Sequence, residues 1–145
     1  MSKISILIRK KAGVTLTEVL FSAAIIALVV VSVLFVFVQT VDMSKRVDYE
    51  YAGTNIAKNR IERVRALMES SGFDSLTDLD ETDSPVNSDG VADPEGEFKR
   101  STQVTANHLG NERLTEVDVQ VVYRYRGEWK TQIPITMTAV FTNIE

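Results

Sequence analysis

The chain opens with a short basic segment and then loses polarity altogether. Val19 to Val38 reads VLFSAAIIALVVVSVLFVFV, twenty residues without a charge, fifteen of them Leu, Ile, Phe or Val. A bilayer-spanning helix needs about 20 such residues. At roughly −0.3 to −0.6 kcal/mol each, they favour insertion by about 5 to 9 kcal/mol. Glu18, at the edge of the run, opposes this by about 3 kcal/mol at most, so insertion wins. Beyond the run the pattern turns amphipathic. Ala52, Ile56, Ile61, Val64, Leu67 and Met68 recur at helical spacing, while Lys58, Arg60, Glu62, Arg63 and Arg65 fill the other faces. Ser70-Ser71-Gly72 is a stop signal, with glycine available for a left-handed cap. The spacing predicts one helix over 14–71, transmembrane over 14–38 and amphipathic over 39–71, with Gly53 its weak point.

The segment 72–97 is the least regular. From Phe73 onward it holds two prolines and no base, with eight acids between Asp78 and Glu97. It reads as a long acidic surface loop, with a short turn of helix near Leu76 to Leu79. From Phe98 to the C-terminus, 98–145, the period becomes two. Phe98–Thr105 suits an edge strand. Val117, Val119, Val121, Tyr123 and Tyr125 alternate with Asp118, Gln120, Val122 and Arg124, the mark of a half-buried strand. Arg126-Gly127-Glu128 turns the chain, and the alternation resumes from Trp129 to Ala139, giving a hairpin. Pro134 has no N–H, which puts the last strand at an edge or a bulge. The fold class is therefore α+β: a long helix whose apolar stripe is covered by a small antiparallel sheet.

Composition removes several kinds of chemistry. There is no cysteine, hence no disulfide, thiol catalysis or thiolate metal site, and the single histidine, His108, leaves little for a zinc site or a triad. The charge is −4, which argues against nucleic acid as the main partner, because affinity for phosphates comes from Lys and Arg. Orientation follows from the cations. Lys3, Arg9, Lys10 and Lys11 precede the apolar run, whereas Lys45 and Arg46 after it sit among Asp42, Asp48 and Glu50. The positive-inside bias keeps the N-terminus in the cytoplasm and exports 39–145. The run is too long for a secretory signal and lacks a small-residue cleavage site at its end.

Glu18 has no use in a plain anchor. It stands in Lys10-Lys11-Ala12-Gly13-Val14-Thr15-Leu16-Thr17-Glu18-Val19, fused to the apolar run. This stretch resembles the class III leader of type IV pilins and of type II secretion pseudopilins, in which a basic leader ends in Gly and Glu is the fifth mature residue. The resemblance implies a leader 1–13, recognised through Lys10, Lys11 and Gly13. It implies cleavage between Gly13 and Val14 by a prepilin peptidase, which would also N-methylate Val14. It implies that Glu18 sets register by meeting the terminal amine of a neighbouring subunit. An ionised carboxylate in lipid is costly unless paired, and cleavage is what creates that amine. Two positions depart from the family: Val14 replaces the usual Phe and Thr17 the usual Ile or Leu, and the helix-kinking Pro of many major pilins is absent. Without the leader, twelve bases face twenty acids, a charge of −8.

The resemblance further implies the family's lollipop architecture, a structural subunit rather than an enzyme, and no cofactor. Its helix and small sheet look most like V-type minor pilins and I-type minor pseudopilins. The implied partners are the prepilin peptidase, other pilins or pseudopilins in a filament, an inner-membrane assembly platform and the lipid bilayer. The implied location is the bacterial inner membrane with the head in the periplasm. From a different class, a bitopic receptor or adhesin with an external binding head accounts for the same span. Other features have plainer readings. Asn87, Asp89, Asp93 and Glu95 are the calcium candidates of the acidic loop, but the motif is incomplete and a solvated loop fits better. Lys58, Arg60, Arg63 and Arg65 are split between faces, which suits a solvated helix better than DNA. Tyr123, Tyr125 and Trp129 suit core or cross-strand pairs, and His108 a loop.

Overall fold

The structure, a computed structural model, describes residues 13–143. One helix, α1, covers Leu16–Ser71. It begins two residues later than the spacing predicts because Thr15 caps it: the Glu18 N–H lies 3.3 Å from Thr15 Oγ1. Thr15 followed three residues on by Glu18 is the capping-box pattern. Gly13, Val14 and Thr15 precede the helix in non-helical conformation. At the other end Gly72, at φ 78°, donates to Met68 O at 3.0 Å, the expected left-handed stop.

The chain divides into two compact units between Asp42 and Met43. In the first, every residue from Gly13 to Val41 is exposed, and this part of α1 is long and apolar enough to cross a membrane. Three of its hydroxyls are satisfied within the helix. Ser22 donates to Glu18 O at 2.8 Å, Ser32 to Leu28 O at 2.8 Å and Thr40 to Val36 O at 2.9 Å. No polar side chain of the apolar run therefore needs a partner outside it, the condition that a hydrocarbon environment imposes.

In the second unit, the remainder of α1 packs on an antiparallel sheet of five strands: β1 Glu81–Val86, β2 Phe98–Ala106, β3 Leu114–Tyr125, β4 Glu128–Trp129 and β5 Ile135–Thr142. The order is β1-β2-β3, with β4 and β5 both paired to β3. Val117, Val119, Val121, Tyr123 and Tyr125 of β3 are all buried, as the alternation requires. They meet Ile56, Ala57, Ile61 and Val64 of α1, and Phe98 and Phe141 complete the core. Gly53 is buried too. A Cβ there would run into Ile135 Cδ1 and lie 3.6 Å from Val121 Cγ1, so the weak point of the helix is a place where the sheet packs tightly on it.

Three expectations need correction. Part of the acidic loop is a strand: β1 pairs Val86 with Phe98 and Glu81 with Thr102. Its sequence ETDSPV shows no apolar alternation. A bulge between Glu81 and Ser84, with Asp83 at φ 51°, breaks what period there is. A 3-10 turn over Phe73–Leu79 precedes it, longer than the short turn expected. β2, expected at an edge, consequently lies inside the sheet between β1 and β3. Finally, the strand after the turn is not continuous. Trp129 pairs with Arg124 and Ile135 with Val121, so five residues, 130–134, bulge opposite two. Pro134 falls in that bulge and β5 is an edge, which satisfies both alternatives for a residue without an N–H.

Candidate functional site

The junction Gly13–Val14 is open. Both residues are exposed and precede the first helical turn, and a side chain at Gly13 would touch nothing within 4 Å. Lys10 and Lys11 lie outside the described residues. Glu18 is exposed in the first turn of α1, where the unpaired N–H groups of the helix favour a carboxylate. Among the described residues it has no ion-pair partner. Sequence reasoning took Glu18 as without local purpose; its place in the first turn of α1 gives the carboxylate one, whereas the Thr15 cap uses only the Glu18 backbone N–H.

Two of the calcium candidates, Asn87 and Asp93, hold turns. Asn87 Oδ1 accepts from the backbone N–H of Asp89 and of Val91, each at 3.0 Å, and Asp93 Oδ1 accepts from Glu95 N–H at 3.0 Å. These are turn caps of the Asx kind. Among the described residues no three acidic or histidine side chains come together.

Arg60 is not on a solvated face. It enters a network that sequence reasoning missed. Glu81 Oε1 lies 3.2 Å from Arg60 Nη2, 2.5 Å from Arg100 Nε and 2.7 Å from Thr102 Oγ1. Arg100 Nη2 donates to Glu81 Oε2 at 3.2 Å. Arg60 also donates to Leu79 O at 2.8 Å and to Thr102 Oγ1 at 3.1 Å, and Arg100 to Gly90 O at 2.9 Å. The three charged side chains are only 10%, 17% and 13% exposed. Burial alone would raise the Glu81 carboxyl, but the hydrogen bonds of Arg100 and Thr102 and the charges of Arg100 and Arg60 outweigh it, leaving it below its ordinary value. Burial lowers Arg60, against the opposing pull of Glu81. The network ties α1, β1, β2 and the 90s loop together, a structural use. Lys58, Arg63 and Arg65 are exposed as expected, and so is the Lys58–Glu62 pair, 3.9 Å apart.

Tyr123 and Tyr125 belong to the core. Tyr49 of α1 stacks on Tyr123 with ring centroids 5.5 Å apart, and meets Phe98 at 5.8 Å and Tyr125 edge-on at 5.9 Å. The Tyr49 hydroxyl donates to Glu97 Oε2 at 3.0 Å, which raises its pKa, and burial raises that of Tyr123. Trp129 is different. It sits opposite Arg124 on the outer face, half-buried, with Lys99 Nζ 4.8 Å and the Arg124 guanidinium 5.6 Å from its ring. His108 is a surface residue in a 3-10 turn, with Nδ1 3.0 Å from Glu116 Oε2. No protein-family model, curated protein or solved structure matches the chain.

Proposed function

We propose that the chain is a structural subunit of a type IV pilus or pilus-like filament: cut after Gly13, methylated on Val14 and held in register by Glu18. The observation that carries this reading is the unit Gly13-Val14-…-Glu18 set at the head of an apolar, capped helix. Its scissile bond is exposed and lies outside the helix, and its carboxylate is exposed without an ion-pair partner among the described residues. The α+β head behind it agrees with a minor pilin of the V type, and equally with a minor pseudopilin of the I type in a type II secretion system. The prepilin peptidase, other leader-bearing subunits, the assembly platform and the bilayer are its partners. The membrane is the bacterial inner membrane, crossed once with the head in the periplasm.

The chemistry of assembly follows from electrostatics. A peptidase acting at Gly13–Val14 frees an amine four residues from Glu18, at the same end of the apolar helix. Side by side in lipid, the amine of one subunit and the carboxylate of the next neutralise each other, and neither is then left as an isolated charge in hydrocarbon. A membrane-anchored receptor or adhesin is the competing reading. It is favoured by the place of Glu18 in the first helical turn, where a carboxylate is stabilised in any chain.

Intact mass and N-terminal sequence of the protein, recovered from membranes with and without prepilin peptidase, separate the two. Loss of residues 1–13 only with the peptidase, leaving singly methylated Val14, is the expected result. A chain that keeps Met1 to Gly13, or is cut elsewhere, refutes the pilin reading. Glu18→Gln should still be processed and inserted but should fail to enter filaments.

A further inference from the structure

We infer that β5 is an interface for a second copy of this chain: the β5 strands of two heads pair antiparallel, with Thr138 opposite Thr138. The inference stands on the second unit alone and holds whether or not the chain enters a filament. Three observations carry it.

The first is an unfilled border. β5 pairs with β3 on one side, and among the described residues nothing pairs with its other side. Its outer N–H and C=O groups are a ready template for another strand. The core also thins out here. Val117, Val119 and Val121 of β3 are wholly buried, whereas Ala139, Met137 and Ile135 opposite them are only partly covered. A strand laid beside β5 extends that inner row and covers Met137 and Ala139.

The second is charge, which selects the border. The chain carries −4 overall, so two heads repel unless they meet where charge is absent. Thr131 to Asn143, TQIPITMTAVFTN, is the longest uncharged stretch of the second unit. The opposite border, β1, has acids at Glu81 and Asp83 and a proline at Pro85.

The third is self-complementarity. Opposite residues of an antiparallel pair share a face. Two copies of β5 therefore match over most of their length in only two registers, centred on Thr138 or on Ala139. Centred on Thr138, the inner row pairs Ile135 with Phe141, and Met137 fills the space beside Ala139 on each side of the centre. Centred on Ala139, two methyl groups face each other at the middle while Met137 meets Phe141, which leaves a gap between crowded pairs. The inner row thus selects Thr138. On the outer face Thr136 then stands opposite Val140, which is half exposed in the single head, and the threonines accept either register.

The chain has no cysteine, so single replacements read the register directly. Opposite residues lie about 4.5 to 5.5 Å apart at Cα, within reach of a disulfide. The full chain is kept in detergent under mild oxidation. Thr138→Cys should form a covalent dimer about tenfold faster or more than Gln103→Cys, because a thiol held opposite its twin reacts at high effective concentration. Gln103 is exposed on β2, inside the sheet and away from either border. Thr142→Cys should be as slow, its two copies lying about 26 Å apart along the pair. Copies with Thr136→Cys should cross-link to copies with Val140→Cys, and neither to itself. If Thr138→Cys misfolds through loss of its hydrogen bond to Asp118, that mixed pair leaves the bond intact and decides alone. Thr138→Cys reacting no faster than Gln103→Cys, with no reaction in the mixed pair, overturns the inference. So does cross-linking of Thr136→Cys to Thr142→Cys, which marks the register centred on Ala139. Equal rates at every position overturn it too, and mark association through the apolar helix instead.

Discussion

Replacing Glu81 by Ala should unfold the head far more readily than the loss of one surface acid. Among the described residues its carboxylate is the only one paired with Arg60 and Arg100, whose side chains are 10% and 13% exposed. Three donors point at it, Arg100 Nε and Nη2 and Thr102 Oγ1, and Arg60 Nη2 pairs with it at 3.2 Å. Without it, two guanidinium groups face one another with little water. Removing one partner of a buried pair costs about 3 to 5 kcal/mol. We take the lower end, because both arginines keep backbone carbonyl acceptors at Leu79 and Gly90. For a unit of roughly 100 residues, about 3 kcal/mol lowers Tm by about 12 to 24 °C. The assay is thermal unfolding of the full chain in detergent, followed by near-ultraviolet circular dichroism of the tyrosine cluster.

The same residue sets an acid limb. The folded Glu81 carboxyl lies below its ordinary value, so its stabilisation is complete above the unfolded value near about 4.3. It is lost as pH falls through the lower folded value. The stability difference between the natural chain and Glu81→Gln should therefore be constant near neutrality and shrink in acid. A loss of less than about 1 kcal/mol for Glu81→Ala, the range of an exposed pair, would refute the reasoning, as would a difference that does not depend on pH. Replacing all three charged groups with Arg60→Met, Glu81→Leu and Arg100→Met should recover much of the loss.

Two further predictions concern packing. Gly53→Ala and Gly96→Ala differ in what the new methyl meets: the flexible tip of Ile135 in the first case, the backbone of Val86 in the second. The first should stay within about 1 kcal/mol of the natural chain, since helix propensity gains about that much, while the second should destabilise markedly. Chemical denaturation of both reads this directly. Ile56→Ala, at a position 1% exposed, should cost about 2 to 5 kcal/mol by the same measurement.

What was legible followed from period. The apolar run, the stripe from Ala52 to Met68 and the alternation of β3 each repeat often enough to be read without neighbours, and the burial of Ile56, Val64, Val117 and Val121 agrees with them. What was hidden depended on contacts. β1 has no apolar signature, because backbone pairing with β2 and the reach of Glu81 hold it instead of a buried face. Arg60 looked like any cation on an amphipathic helix; only Leu79, Glu81 and Thr102, 19, 21 and 42 residues further on, give it partners. The break at 130–134 was masked because Trp129, Thr131, Ile133 and Ile135 keep the parity of a strand straight through it.

The two borders of the sheet are unequally defended. β1 is short, kinked at Asp83 and interrupted by Pro85, so a foreign strand finds few donors in register there. β5, ITMTAVFT, runs eight residues with no charge and no proline. Its outer N–H and C=O groups form a continuous row, and the threonines beside it are indifferent to what approaches. Association of this chain at high concentration should therefore start along Ile135–Thr142, and handling conditions that spare that row will decide how long the head stays monomeric.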